Sequence, residues 1–474
     1  MPQKNKNFRL EKDSLGERPV PKDAYYGIQT LRAKENFPIS GITAKRVFII
    51  STAMVKKACC IANMELGLID RKRGQAIINA ADEIIQGKLH DQFIVDVYQA
   101  GAGTSHNMNA NEVIANRAIE HLGGKKGDYR IIHPNDHANA SQSTNDTMPT
   151  ALRIAAIISS EEFIRTLKTL ESALRKKSKE FDRVIKSGRT HLQDAVPVRL
   201  GQEFGSYASS VSSAVEMLSS ARERLKRIGL GATAAGTGIN THPRYRVTAL
   251  KALSKTTGIK GLKSAPDYFE AINSMADFAS FSSELKNTAI ELIRIANDLR
   301  LLSSGPRTGI TEIKLPPVQP GSSIMPGKVN PVMAELLDMV SFQVIGNDLT
   351  ITMAAQAGQF ELNVMMPVIN YNLLQSIEIL TSGVRVFTEK CVSDIKADKD
   401  RCKYFFEGSI GVATILNRYI GYEKAAQVAK EATETGKTVK EVVLEKRILT
   451  NDEWERLMDI RSVTEPSLIE RKKP

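Results

Sequence analysis

Apolar residues recur along the middle of this chain with a spacing that leaves little choice of fold. Phe204, Tyr207, Val211, Ala214, Leu218, Ala221, Leu225 and Ile228 are separated by steps of 3, 4, 3, 4, 3, 4 and 3. That is a heptad seam, and it commits the segment to a long helix packed lengthwise on others. Leu285, Ala289, Leu292, Ala296 and Leu299 repeat the pattern with steps of 4, 3, 4 and 3. Asp267, with Glu270 three residues on, is a capping-box-like start for this second helix, and Gly305 and Pro306 stop it. Between those signals it would be about 50–55 Å long, at 1.5 Å per residue. Segments 332–355 and 367–387 are apolar on most of their surface. Such helices must be buried on all sides. A bundle of about five long helices from one chain is too small to surround two of them. We therefore expect a mainly α fold whose central bundle is completed in an oligomer, a homotetramer, by helices pooled between subunits. Few runs are β-branched and alternating, so strands should be minor.

Around the bundle the 474-residue chain is more broken. Three segments are expected: a mixed, mainly helical N-terminal domain (1–140), the long-helix bundle (141–396) and a small helical C-terminal domain (397–474). Hydrophobic residues make up 42% and charged residues 25%, the balance of an ordinary globular protein. The N-terminus lacks an apolar core of the signal-peptide kind, and no run approaches about 18 uninterrupted apolar residues, so neither a leader nor a transmembrane helix is expected. Cys59, Cys60, Cys391 and Cys402 form no CxxC pair, which reads as a reducing, cytoplasmic setting. Neither an HExxH motif nor a His/Cys cluster has metal-ligand spacing, so no metal is expected. The net charge of +12 raises the question of nucleic acid. The basic runs at 71–73, 175–177 and 471–473 are scattered and aromatics are only 6%, so we expect a solvated cationic surface that draws in small anions, and no nucleic-acid partner.

Four polar clusters interrupt the helical patterns: "GAGTSHNMNANE" (101–112), "HPNDHANASQSTNDTMPT" (133–150), "GRTHLQDAVP" (188–197) and "PGSSIMPGKVN" (320–330). Ser, Thr and Asn favour helix caps and turns, so one such cluster alone reads as a cap. Four of them at the edges of long helices suit a site built by convergence of rigid elements. The last cluster approaches a phosphate-binding loop without being one. Five residues separate Gly321 from Gly327, and Val329 stands where a magnesium-binding hydroxyl belongs. "GLGATAAGTG" (229–238) follows a heptad helix rather than a strand, which excludes a dinucleotide fingerprint. What remains is a set of hydroxyls, amides, one histidine and one lysine, well suited to holding carboxylates.

These motifs together resemble the aspartase/fumarase superfamily, whose members eliminate a group β to a carboxylate and release fumarate. The resemblance runs from "YYGIQTLRAKENFPISG" (25–41) to "IGYEKAAQVAKEA" (420–432) and covers nearly the whole chain. "SQSTND" and "LPPVQPGSSIMPGKVNPVMAE" resemble the branch that expels ammonia from L-aspartate more than the class II fumarase branch that expels water from L-malate. The resemblance implies Ser322 as the base that takes the Cβ proton. It implies Thr104, Ser143, Thr144 and Ser323 around the β-carboxylate, with Lys328, Asn330 and Thr190 on the α-carboxylate. Asn145 and His191 would lie near the leaving amine. A small dicarboxylate substrate, no cofactor and active sites shared between subunits follow from the same resemblance. Gly321 and Gly327 would be hinges of a lid. Glu335 either orients His191 or serves as a first-turn acid, and Asn347 and Asp348 read as buried hydrogen-bonding residues of the bundle. Ala100, Ala138, Ala140 and Met366 depart from the usual pattern; Met366 replaces a glutamate.

Overall fold

A computed structural model describes residues 7–466. The chain divides into two compact units. Unit 1 holds residues 1–164, 216–287 and 342–380, and unit 2 holds 165–215, 288–341 and 381–474. Their helices, in chain order, are α1 (Ile28–Asn36), α2 (Arg46–Glu65), α3 (Arg71–Ile85), α4 (Thr104–His121), α5 (Thr144–Glu180), α6 (Leu200–Arg224), α7 (Tyr245–Thr257), α8 (Glu270–Asn273), α9 (Ala276–Leu302), α10 (Val332–Gln356) and α11 (Met366–Lys390). Six shorter helices follow between Lys399 and Thr464 among the described residues. The fold is mainly α. Among the described residues the strands form four two-stranded sheets: β1 (Phe8–Asp13) with β2 (Gly16–Pro21), β3 (Ile185–Thr190) with β4 (Gln193–Arg199), β5 (Arg227–Ile228) with β6 (Lys263–Ser264), and β7 (Ile313–Lys314) with β8 (Lys396–Ala397).

Residues of α5, α6, α9, α10 and α11 are divided between the two units. In unit 1, Arg153 of α5 meets Asp277 of α9 at 3.0 Å, and Ser282 and Lys286 of α9 each reach Asp348 of α10 at 2.7 Å. Asn347 of α10 donates to Ser376 of α11 at 3.0 Å, so both polar residues expected inside the bundle are hydrogen-bonded there. In unit 2, Tyr207 of α6 donates to Asp298 of α9 at 3.0 Å, and Arg300 of α9 pairs with Asp338 of α10 at 2.9 Å.

Two expectations are corrected. α9 begins at Ala276, because Asp267 caps the separate short α8 through the N–H groups of Phe269 and Glu270 and the chain turns at Ser274. It is therefore 27 residues long, or about 40 Å. α6 ends at Arg224, and Ile228, the last seam position, lies in β5 instead.

Unit 1 has its own core, where Ile49 and Ala53 of α2, Ile77 and Ile84 of α3, and Val113, Ile114 and Ile119 of α4 pack together. Asp70 caps α3 by accepting from the N–H groups of Lys72 and Arg73. By length and composition α2 could cross a bilayer, yet 67% of its apolar stretch is buried in the fold, as a core helix is. A second core in unit 2 gathers Leu416, Val428, Val443 and Trp454. Two capping boxes, Thr438 with Glu441 and Thr450 with Glu453, start helices of this region, each worth about 1 kcal/mol. All four cysteines are buried and free. The basic run at 471–473 lies outside the described residues.

Candidate active site

The residues singled out in the sequence fall into both units. Unit 1 carries Thr104, Ser143, Thr144 and Asn145, and unit 2 carries Thr190, His191, Ser322, Ser323, Lys328 and Asn330.

In unit 1 two helix N-termini converge. Thr104 is the first residue of α4 and Thr144 the first of α5. The approach to α4 is a left-handed pair, Ala102 at φ 62° and Gly103 at φ 85°, and Ala102 N–H is held by the Val364 carbonyl at 2.7 Å. A side chain at 103 would be strained by that φ and would stand 3.3 Å from Met148 of α5, so glycine is what lets the two helices start side by side. The N-cap residue Gly103 offers no side chain, but Gln99 Oε1 accepts from the His106 N–H at 2.8 Å and the Gly101 carbonyl from that of Thr104, so the chain before α4 caps part of its first turn, whose positive end still attracts anions. Asn107, one turn after Thr104, donates to Thr144 Oγ1 at 3.0 Å and ties the two starts together. Ser143 Oγ accepts from Asn145 N–H at 3.2 Å. Asn145 donates its amide to the Ala234 carbonyl at 2.8 Å, and its own carbonyl oxygen is an acceptor. Buried Asp146 receives the N–H groups of Ser143, Gly231 and Thr233 at 3.1, 3.0 and 2.9 Å. Burial pushes its pKa up to about 6. The glycine-rich stretch after α6 is thus a backbone cradle for this carboxylate.

In unit 2 the candidates sit on two exposed features, with no hydrogen bond between them among the described residues. Thr190 pairs with Gln193 across a two-residue hairpin, and the two central residues are His191 at φ 55° and Leu192 at φ 59°. That is the primed geometry that closes tight hairpins. A buried ion network anchors it. Glu312 receives Arg189 through both oxygens at 3.0 and 2.9 Å and Lys186 at 3.0 Å, while Lys186 also reaches Glu203 at 2.8 Å. The second feature is the loop 320–331. Gly321 N–H bonds the Lys328 carbonyl at 2.8 Å, and Asn330 donates to the Gly321 carbonyl at 2.7 Å, which closes the loop at its base. A Cβ on Gly321 would lie 2.6 Å from that Lys328 oxygen, and Gly327 turns at φ +80° with open space around it. Ser322 Oγ accepts two backbone N–H groups, from Ile324 at 3.2 Å and Met325 at 3.1 Å. Two aimed donors favour an alkoxide on that oxygen. Glu335 makes no hydrogen bond to His191 among the described residues.

Sequence reading missed the supports. Asn107 was visible only as the residue three places after Thr104. Met366, the departure from glutamate, is buried and shares a small cavity with His106 and Met148. Burial and nearby Lys56 push the His106 pKa down to about 3, so the ring is neutral and the thioether suits its surroundings. The basic charge also proves uneven: from Arg224 to Pro266 the chain has nine Lys and Arg and neither Asp nor Glu. Ala234, the partner of Asn145, lies in that segment.

Convergent helix starts, a serine oxygen aimed at by amides and a lysine-bearing loop define the equipment of a lyase that handles carboxylates. A family model described as Lyase matches residues 16–346, and one described as Fumarase C C-terminus matches residues 412–465. The chain belongs to this lyase family, the aspartase/fumarase superfamily its motifs resemble. An aspartate ammonia-lyase of Bacillus sp is 51% identical over 99% of this chain and 100% of its own length. One from Bacillus subtilis (strain 168) is 50% identical over 98% and 97%. A crystal structure of fumarate lyase:delta crystallin from Brucella melitensis bound to cobalt superposes with a TM-score of 0.94 at 48% identity, covering 97% of this chain and 100% of that one. A recombinant class II fumarase from Schistosoma mansoni gives a TM-score of 0.91 at 36% identity, covering 96% and 98%.

Proposed function

We propose that the chain is an aspartate ammonia-lyase, which converts L-aspartate reversibly to fumarate and ammonia. The observation that carries this reading is the Ser322 oxygen with two N–H groups aimed at it. Serine is a weak base unless its alkoxide is stabilised, and these donors do so. Ser322 takes the Cβ proton, and the β-carboxylate becomes a doubly charged aci-carboxylate. Thr104, Ser143, Thr144 and Ser323 donate to that charge as it grows, with the positive ends of the α4 and α5 dipoles behind the first three. Lys328, Asn330 and Thr190 hold the α-carboxylate. Collapse of the aci-carboxylate forms the carbon–carbon double bond and expels ammonia. Asn145 offers its carbonyl oxygen to the ammonium of the bound substrate, and His191 stands near the same group. Relatives at 47–51% identity named aspartate ammonia-lyase support an amine as the leaving group over a hydroxyl.

The exposure of Thr104, His191 and Lys328 in a single chain supports sites completed between subunits. So does α10, where Met339, Phe342, Leu349 and Met353 are 62%, 58%, 64% and 56% exposed along one seam. Such a stripe on a helix is an interface. We infer a cytoplasmic homotetramer in which the segments 1–140, 141–396 and 397–474 act as N-terminal, bundle and C-terminal domains.

The test is direct. Incubated with L-aspartate or with L-malate, the enzyme should produce fumarate absorbance from L-aspartate; production from L-malate alone would overturn the reading. Ser322→Ala should lower kcat by about 10²–10⁴-fold, the usual contribution of a general base, with fold and substrate binding intact. Unchanged kcat would remove Ser322 from the chemistry.

A further inference from the structure

Adjacent lysines of α2 have opposite fates. Lys57 is partly exposed and pairs with Asp82 at 2.6 Å. Lys56 is fully buried, in the stripe that also buries Ile49, Ala53, Cys60 and Asn63. A buried lysine ordinarily has a carboxylate against it. Lys56 forms no ion pair among the described residues. Its Nζ donates to two amide oxygens, Asn139 Oδ1 and Gln142 Oε1, both at 2.9 Å. An ammonium has three donors and a neutral amine two, so either form satisfies both partners.

From Lys56 a line of hydrogen bonds leads to the candidate site. Asn139 Oδ1 also accepts from Asn107 Nδ2 at 3.2 Å, and the same Nδ2 donates to Thr144 Oγ1 at 3.0 Å. Thr144 Oγ1 is therefore an acceptor on its inner side, and its single hydrogen is left to point away from Asn107. Gln142, the second partner, immediately precedes Ser143. Its amide bonds the carbonyls of Ala138 and Ala140 at 3.1 and 3.2 Å, which fixes the turn before α5. The other titratable groups around Lys56 are Cys59 on its own helix, His106 on α4 and Asp146 on α5, with Tyr245 of α7 beyond Cys59.

We propose that Lys56 is a positioning residue for the elimination: it locks the 139–142 turn and, through Asn139 and Asn107, aims the Thr144 hydroxyl at the carboxylate that gains charge when the Cβ proton leaves. The inference rests on the ammonia-lyase reading above. A donor aimed at developing charge acts on kcat more than on KM.

The experiment uses the full-length enzyme with Lys56→Met, Asn107→Ala and their combination. It measures kcat and KM for L-aspartate, together with the affinity for succinate and for 3-nitropropionate, whose nitronate form has the charge pattern of the aci-carboxylate. Lys56→Met should lower kcat by about 10- to 100-fold, the usual effect of a supporting residue. The 3-nitropropionate affinity should fall in parallel, while KM and succinate affinity move less than about 3-fold. The double variant should be little worse than the poorer single one, because both cut the same line. Equal losses for succinate and 3-nitropropionate, or losses that multiply in the double variant, would overturn the proposal. Should Lys56→Met fail to fold, Asn139→Ala interrupts the same line and must give the same split. Absence of L-aspartate turnover in the unaltered enzyme would instead remove the reading on which the inference stands.

Discussion

Lys56 and Lys186 are both among the largest fully buried side chains, and they are held in opposite ways. Lys186 lies on β3, four residues before Thr190, and meets Glu203 and Glu312; Arg189 joins from the same strand. Two cations face two carboxylates there, so the network is neutral within itself, and its work is to anchor an exposed turn. Lys56 meets only amide oxygens. Its network ends on a hydroxyl we assign to a carboxylate of the substrate. Where a buried cation serves structure alone, neutralising it on the spot is the cheaper solution. Behind the anion site the buried Asp146 carboxylate accepts instead from the N–H groups of Ser143, Gly231 and Thr233, and Lys56 is left to the amides.

That contrast is broken most forcefully at Glu312. Its fully buried carboxylate is the hub for Lys186 and Arg189. Glu312→Gln keeps the shape and leaves two cations with one carboxylate between them. Breaking a buried ion network in this way costs about 3–5 kcal/mol, read as a lower denaturation midpoint at fixed protein concentration. A loss under about 1 kcal/mol, the range of exposed pairs, would mean that the hairpin does not depend on its buried charges.

Lys56→Met should cost less, about 1–3 kcal/mol, the penalty for leaving Gln142 Oε1 without its donor, since Asn139 Oδ1 keeps that of Asn107, partly offset by the relief of burying no amine. Its signature is pH dependence. Burial lowers the Lys56 pKa to about 7, against about 10.4 for an unfolded lysine. Between those values the unfolded chain binds more protons than the folded one, so stability contributed by this position rises with pH. The unaltered enzyme should therefore gain on Lys56→Met as pH goes from 7.5 to 9.5, a window above the pKa of about 6 at Asp146 and below that of about 12 at Cys59. A constant difference across the window would show that Lys56 is not held in a desolvated site.

Much of this architecture is legible in the sequence, and the parts that are not share a cause. The seam from Phe204 to Leu225 predicts α6 because side-chain periodicity is local information. The start of α9 misleads because Asp267 and Glu270 are a sound local start signal used by a separate four-residue helix. The loop 320–331 stands out through its glycines, and one of them does turn at positive φ. Lys56 is nearly silent. "VKKACC" shows two lysines in an apolar helix, and only the phase of the stripe through Ala53 and Cys60 marks which one is inside. What fills its donors, Asn139 and Gln142, lies more than eighty residues away, and no local pattern encodes that pairing. The exposed half of the site shows the same limit, since "THLQ" contains no residue that usually supplies a primed turn.

That turn gives the smallest effect and the finest probe. Primed hairpins usually place Asn and Gly at their central positions, because both residues need positive φ. Here His191 and Leu192 take those positions, and Leu192 is 71% exposed within its own chain. A branched side chain in that region costs about 1–2 kcal/mol, and glycine returns part of the gain through its freer unfolded chain. Leu192→Gly should therefore stabilise the protein by about 0.5–1 kcal/mol. Strain kept at a position that its own chain leaves exposed is expected where a neighbouring side chain must be aimed, and the neighbour is His191. The same variant should accordingly lower kcat on L-aspartate by a few fold while raising the denaturation midpoint. If Leu192→Gly raises the midpoint and leaves kcat untouched, the strain is incidental and the hairpin's buried ions serve the fold alone. If it raises the midpoint and slows turnover, the anchoring by Lys186 and Glu312 acts through the pose of His191, as the anchoring by Lys56 is proposed to act through Thr144.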